Sequence, residues 1–415
     1  MAKLLRRLRA AARAPARRAR AASEARIKIV ELFENSIQDV GGHRGWGQDL
    51  DSQVSQYGIY GTSAGVQVIV TKDGENSGVV QDALNLLRTI EDPESLFRKK
   101  RDHLNTYKLI YCADATAPLQ TSVASPSPPM DRLMTGALPG GLWGDYVAGD
   151  GLPVPLASEL ATALAVYALR RYDGFHGPDC TAALKWLAET GSEHAWSAAD
   201  LKTPTRYAIT LLALEAYAGT DAAKAVDGFE DKVRCFRRAL TRWSRRRPRA
   251  YLCEQYRHDF VESGPYKAQS DFMAFMPDCI AAFAFLEAPQ HLNSRRRRHA
   301  RRVIDKVSSE VLRARFHPRN VGTRSSLDHL WAHRLLALFV PATVQAAMRG
   351  LRGRLIFGPI WIVGPVWVAM LLAATVLWRL SFDVDGIEEA IVLVAATVLV
   401  ALVPTLFAIR MADDR

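Results

Sequence analysis

Gly41-Gly-His-Arg-Gly-Trp-Gly-Gln-Asp49, with Gly61-Thr-Ser-Ala-Gly-Val-Gln-Val-Ile69 following shortly after, is the stretch from which the fold is read. A glycine-rich loop holding one tryptophan leads into a helix of small residues with Thr and Ser near its start. The arrangement returns at Gly140-Gly-Leu-Trp-Gly-Asp145 before Ala157-Ser-Glu-Leu-Ala-Thr-Ala-Leu-Ala-Val-Tyr167. A third copy, without loop glycines, is Thr203-Pro-Thr-Arg-Tyr-Ala-Ile-Thr-Leu-Leu-Ala-Leu214. A Ser or Thr at such a start accepts hydrogen bonds from the first free N–H groups. Small residues let the helices lie close together, so the pattern predicts an inner layer of helices. Its recurrence predicts a repeat architecture.

Outward from these loops, residues 25–348 show helical apolar spacing, with no alternating pattern longer than a few residues. Helices are expected near 25–38, 59–72, 79–91, 98–113, 130–137, 155–172, 179–190, 203–219, 222–243, 266–287, 295–315 and 324–348, which makes six pairs. A Pro/Ser/Thr-rich stretch at 115–129 reads as a loop dividing them.

The two ends differ from this body. Leu355–Trp378 is an uncharged, mostly apolar run of 24 residues, and Ala390–Ile409 is another of 20. Roughly 20 apolar residues in helix cross a bilayer core. The reading is a transmembrane hairpin over 349–415. Arg349, Arg352 and Arg354 precede it, Arg410 and Arg415 follow it, and the turn between the runs is acidic. The positive-inside rule then places the body and the C-terminus on the cytoplasmic side of the cell membrane. The hairpin also offers a surface for homo-oligomerisation or a pore.

The formal net charge is +11. Residues 1–26 hold Lys3 and eight arginines against Glu24 alone, so most of that excess belongs to the N-terminus. Residues 1–24 suit contact with the anionic inner leaflet, at about 1 kcal/mol per basic residue near the surface. A solvated, disordered tail, nucleic-acid contact and an organellar presequence also fit this composition. Five widely spaced cysteines without a CxxC pair argue against a disulfide scaffold. Further arginine runs lie at 242–249 and 295–302; solvated faces, the anionic leaflet and nucleic acid are all readings of them. Nucleic acid is disfavoured, because no recognised binding module accompanies them.

The Gly-x-Trp-Gly-Gln-Asp and Gly-Leu-Trp-Gly-Asp loops, each before an Ala-rich helix, resemble repeats of the terpene cyclase and protein prenyltransferase superfamily. The resemblance implies an all-α fold: an (α/α)6 toroid of paired helices over 25–348. It also implies a cavity at the end of the ring where inner helices begin. Trp46, Gln48, Trp143, Tyr146, His317 and Arg319 would line it as ligand-binding groups, with Tyr256 and Asp259 beside them. Asp49, Asp145, Glu254 and His258 would be its acid/base candidates. Helix N-termini aimed there favour an anionic ligand, and aromatic faces favour a cation. The superfamily's Asp-x-Asp-Asp acid motif is absent; Asp49-Leu-Asp51 is a fragment of it. A lone pair of surface aspartates does not make the strong acid that alkene protonation needs. The expectation is a receptor or membrane effector for a small or isoprenoid-like ligand, with an enzyme acting on a membrane-derived isoprenoid or lipid as the alternative.

Two smaller constellations remain. Asp328-His-Leu-Trp-Ala-His333 sets His329 and His333 one helical turn apart, a spacing that lets both reach one zinc ion; a structural or exposed pair is the simpler reading. Glu254 and His258 are likewise one turn apart if helical, as an acid/base or an ion pair. No cofactor is indicated by any other motif.

Overall fold

The computed structural model describes residues 2–40, 42–48, 50, 57–74, 76–90, 92, 95–96, 105–116, 128–147, 154–171, 179–193, 204–246, 254–258, 269–273, 276–288, 293–313 and 325–339. These lie within one compact unit, Met1–Thr343. The expected hairpin at 349–415 falls outside the described residues. Among the described residues no helix is long and apolar enough to cross a membrane.

The described chain is mainly helical, and each of the twelve helices expected within 25–348 has a counterpart. In chain order these are α1 (Ala2–Glu34), α2 (Ile59–Asp73), α3 (Gly78–Arg88), α4 (Thr106–Thr116), α5 (Pro128–Thr135), α6 (Glu159–Arg170), α7 (Asp179–Glu193), α8 (Pro204–Ala216), a one-turn α9 (Asp221–Lys224), α10 (Phe229–Arg246), α11 (Met276–Glu287), α12 (Ser294–Leu312) and α13 (326–339). Two short antiparallel hairpins punctuate them, β1 (Gln38–Val40) with β2 (His43–Gly45) and β3 (Glu254–His258) with β4 (Gln269–Met273).

Burial sorts the helices into two sets. In α4 every residue from Thr106 to Thr116 is buried, and α2, α6 and α11 are buried almost all round. A helix apolar or small on every side is one enclosed by other helices. These enclosed helices pack in succession: α2 on α4, α4 on α6, α6 on α8 and α8 on α11. Helix α13 meets α11 through Phe283 and Trp331, and meets α2 through Gln67 and Arg334. The half-exposed helices form a second succession, α7 on α10, α10 on α12 and α12 on α1.

Three local expectations differ from the structure. Helix α1 starts well before residue 25 and runs through Pro15. Ala22, Ala25, Ile29 and Phe33 recur on one face at full burial, and that face is packed on α12 and α2. The stretch from 266 to 275 was expected to open a helix, yet it contains β4. Glu254 and His258 consequently sit at the two ends of strand β3, four residues or about 13 Å apart, not one helical turn apart.

Candidate functional site

The two tryptophan loops are built alike. Trp46 has no exposed surface, its indole N–H donates to the Phe33 carbonyl at 2.7 Å, and its backbone N–H donates to the Thr62 hydroxyl of α2 at 3.3 Å. The Trp143 indole likewise donates to the Leu133 carbonyl at 2.8 Å, and its backbone N–H donates to the Thr162 hydroxyl of α6 at 2.9 Å. Two residues further on, each loop reaches a different helix. The Gln48 carbonyl accepts from Ser326 N at 2.7 Å, and the Asp145 carbonyl accepts from Thr106 N at 3.1 Å. Each loop thus satisfies free N–H groups at the start of a neighbouring enclosed helix. Both indoles are core, worth about 3–5 kcal/mol each on truncation.

Where the enclosed helices begin, polar side chains gather around Asp145. Tyr107 donates its hydroxyl to Asp145 Oδ1 at 2.6 Å and lies 3.3 Å from the Ser158 hydroxyl. Burial, and then the Asp145 charge, hold the Tyr107 phenol well above its ordinary pKa, so it remains a donor. Beside it Glu159 accepts from Arg206 and from the Thr210 hydroxyl.

A line of cations and aromatic rings runs between the enclosed helices. Lys108 lies over the Tyr60 ring, and Tyr60 meets Tyr111 edge to face at 5.8 Å. The Trp331 indole donates to the Tyr111 hydroxyl at 2.9 Å, and Arg334 stacks over Trp331 at 4.9 Å. Arg334 also donates to Gln67 and Asp114, and Asp114 accepts from Arg171 at 2.7 Å. Tyr60, Tyr111, Trp331, Lys108 and Asp114 are all buried. Pattern reading missed these residues; the available signal was a lysine and an aspartate inside the otherwise apolar Lys108-Leu-Ile-Tyr-Cys-Ala-Asp114.

The other candidates are distributed as follows. Gln48 and Tyr146 are half-buried in the two loops. Asp49, Asp259, His317 and Arg319 lie outside the described residues, and Glu254, Tyr256 and His258 are defined there only as members of β3. His329 is bonded through Nδ1 to the Ser325 carbonyl at 2.7 Å. His333 Nε2 accepts from Arg26 at 3.0 Å, and burial, then Arg26 and Arg334, push its pKa down to about 3. Two guanidiniums beside that imidazole oppose a metal cation. Among the described residues no three His, Cys, Asp or Glu side chains converge as a metal-holding group.

No protein-family model matches the chain, and no curated protein or solved structure is significantly similar to it.

Proposed function

We propose that this is a membrane-anchored protein whose helical body is a closed (α/α)6 toroid. It binds a small anionic or isoprenoid-like ligand along the ring axis, as a receptor or membrane effector and not as a catalyst. Helix order supports the ring: α2, α4, α6, α8 and α11 are successive neighbours, and α13 touches both α11 and α2. The repeated loops support it as well, since the Trp46 loop serves α13 as the Trp143 loop serves α4.

The observation that carries the ligand reading is the line from Lys108 through Tyr60, Tyr111 and Trp331 to Arg334. Cationic donors suit an anionic head, and aromatic faces suit an apolar or planar body. The reading keeps the membrane hairpin at 355–378 and 390–409 as the anchor, with the body on the cytoplasmic side.

A thermal-shift screen of the detergent-purified full chain against prenyl diphosphates, nucleotides and peptides tests the ligand. Stabilisation by one class, lost on Arg334→Met, is the expected result; no stabilisation by any class overturns it. For the anchor, carbonate washing should leave the full chain in the membrane fraction and release a chain truncated before residue 349.

The enzyme alternative rests on Tyr107 and Asp145, a phenol and a carboxylate in direct contact where the enclosed helices begin. Turnover of a polyprenyl substrate would favour it.

A further inference from the structure

Basic stretches that lie far apart in sequence come together on neighbouring helices. Helix α12 packs on α1 along one flank and on α10 along the other. Arg18 of α1 pairs with Asp305 of α12 at 2.5 Å, and Arg296 of α12 donates to Thr241 of α10 at 3.0 Å, next to the exposed Arg242. Arg17 and Arg18 of α1, the 295–302 run of α12 and Arg242 of α10 are therefore parts of one surface.

The first turns of α12 are the centre of that surface, and their charge does nothing for the helix itself. Arg295, Arg297, Arg298, Arg301 and Arg302 are exposed, and among the described residues none has a carboxylate at ion-pair distance. Positive charge at a helix N-terminus opposes the macrodipole. Spacings such as 297/301 and 298/302 place like charges one turn apart, which is also unfavourable. Only Arg296 turns inward, over the Phe285 ring. A multivalent anionic partner relieves both penalties.

We infer that this α1–α12–α10 surface docks on anionic lipid headgroups. Two observations favour lipid over nucleic acid. Ile27 of α1 and Leu312 of α12 are two of the four large apolar side chains exposed among the described residues, at 57% and 43%, and they sit on the same two helices. The central 295–302 run carries no interleaved Phe, Tyr or Trp on which bases could stack. The inference rests on the membrane reading above and names the surface that faces the leaflet.

Hydrogen exchange of the full chain in lipid nanodiscs tests it, comparing pure phosphatidylcholine with about 30% phosphatidylglycerol. Exchange of the peptide covering 294–302 should slow by about fivefold or more on the anionic discs only. High salt should remove the effect, as should the combined substitution Arg297→Gln, Arg298→Gln, Arg301→Gln and Arg302→Gln. Equal exchange on the two lipids overturns the inference and leaves the anchor intact. Stronger protection by a short DNA or RNA duplex at the same salt also overturns it. If the chain fails to insert, salt-sensitive flotation with phosphatidylglycerol vesicles sustains this surface while the anchor falls; no flotation removes both.

Discussion

The indole N–H of Trp331 donates to the hydroxyl of Tyr111 at 2.9 Å, linking positions 220 residues apart. Both residues are buried, and burial pushes the Tyr111 phenol up to about 12, so the hydroxyl stays protonated at any physiological pH. Tyr111→Phe leaves a buried indole donor without this partner, a loss of about 1–3 kcal/mol. Urea denaturation should show that loss. Adding Trp331→Phe should cost less than the two single changes summed, because one contact is removed twice.

Asp114 is the shared acceptor for Arg171 and Arg334. Asp114→Asn leaves two guanidiniums facing a neutral amide, one of them largely buried. The expected cost is about 3–5 kcal/mol, the range for breaking a buried pair on one side. Replacing Arg334 by Met in the same chain should recover part of it; an additive double variant would show that the pair is not coupled.

The helix face beneath Trp46 is closed by a glycine. A Cβ on Gly65 would sit 2.2 Å from the Trp46 ring, so Gly65→Ala forces the indole or α2 to move. Overpacking of this kind costs about 1–3 kcal/mol. A thermal melt unchanged from wild type would mean that the loop is looser than its hydrogen bonds imply.

His333 gives the body an acid-sensitive contact. Its folded pKa lies near 3, below the ordinary value of 6.5, so the unfolded chain binds its proton first as pH falls. The His333 contribution is complete above about pH 6.5 and is lost progressively from there towards pH 3, by up to about 1.4 kcal/mol per pH unit. His333→Gln should flatten this part of the stability–pH curve between pH 6.5 and 4.5. An unchanged slope would locate the sensitivity elsewhere.

Asp145 separates the two functional readings. Asp145→Asn keeps an acceptor for Tyr107 but removes the charge. Under the receptor reading, ligand-induced stabilisation should change less than about threefold in Kd, since the ligand contacts lie along the Lys108–Arg334 line. Under the enzyme reading, any polyprenyl turnover should fall by about a hundredfold or more.

Much of this was legible from local pattern. Helix positions followed from apolar spacing, and the equivalence of the Trp46 and Trp143 loops followed from their shared composition. The early start of α1 was hidden by its arginines, because Ala22 and Ala25 become core only once α12 lies against them. Strands β3 and β4 were missed because their residues alternate weakly and pair with each other across ten intervening positions.

The sequence by itself determined that the body is helical, where its helices and tryptophan loops fall, and where charge and long apolar runs concentrate. Each of these depends on neighbours within one or two turns, where periodicity and capping act. Tertiary structure alone decided that both indoles are packed into the core, that Lys108, Trp331 and Arg334 join one line, and that Arg18, the 295–302 run and Arg242 come onto neighbouring helices. Those outcomes depend on which helices become neighbours, and contacts spanning tens to hundreds of residues leave no period in the chain.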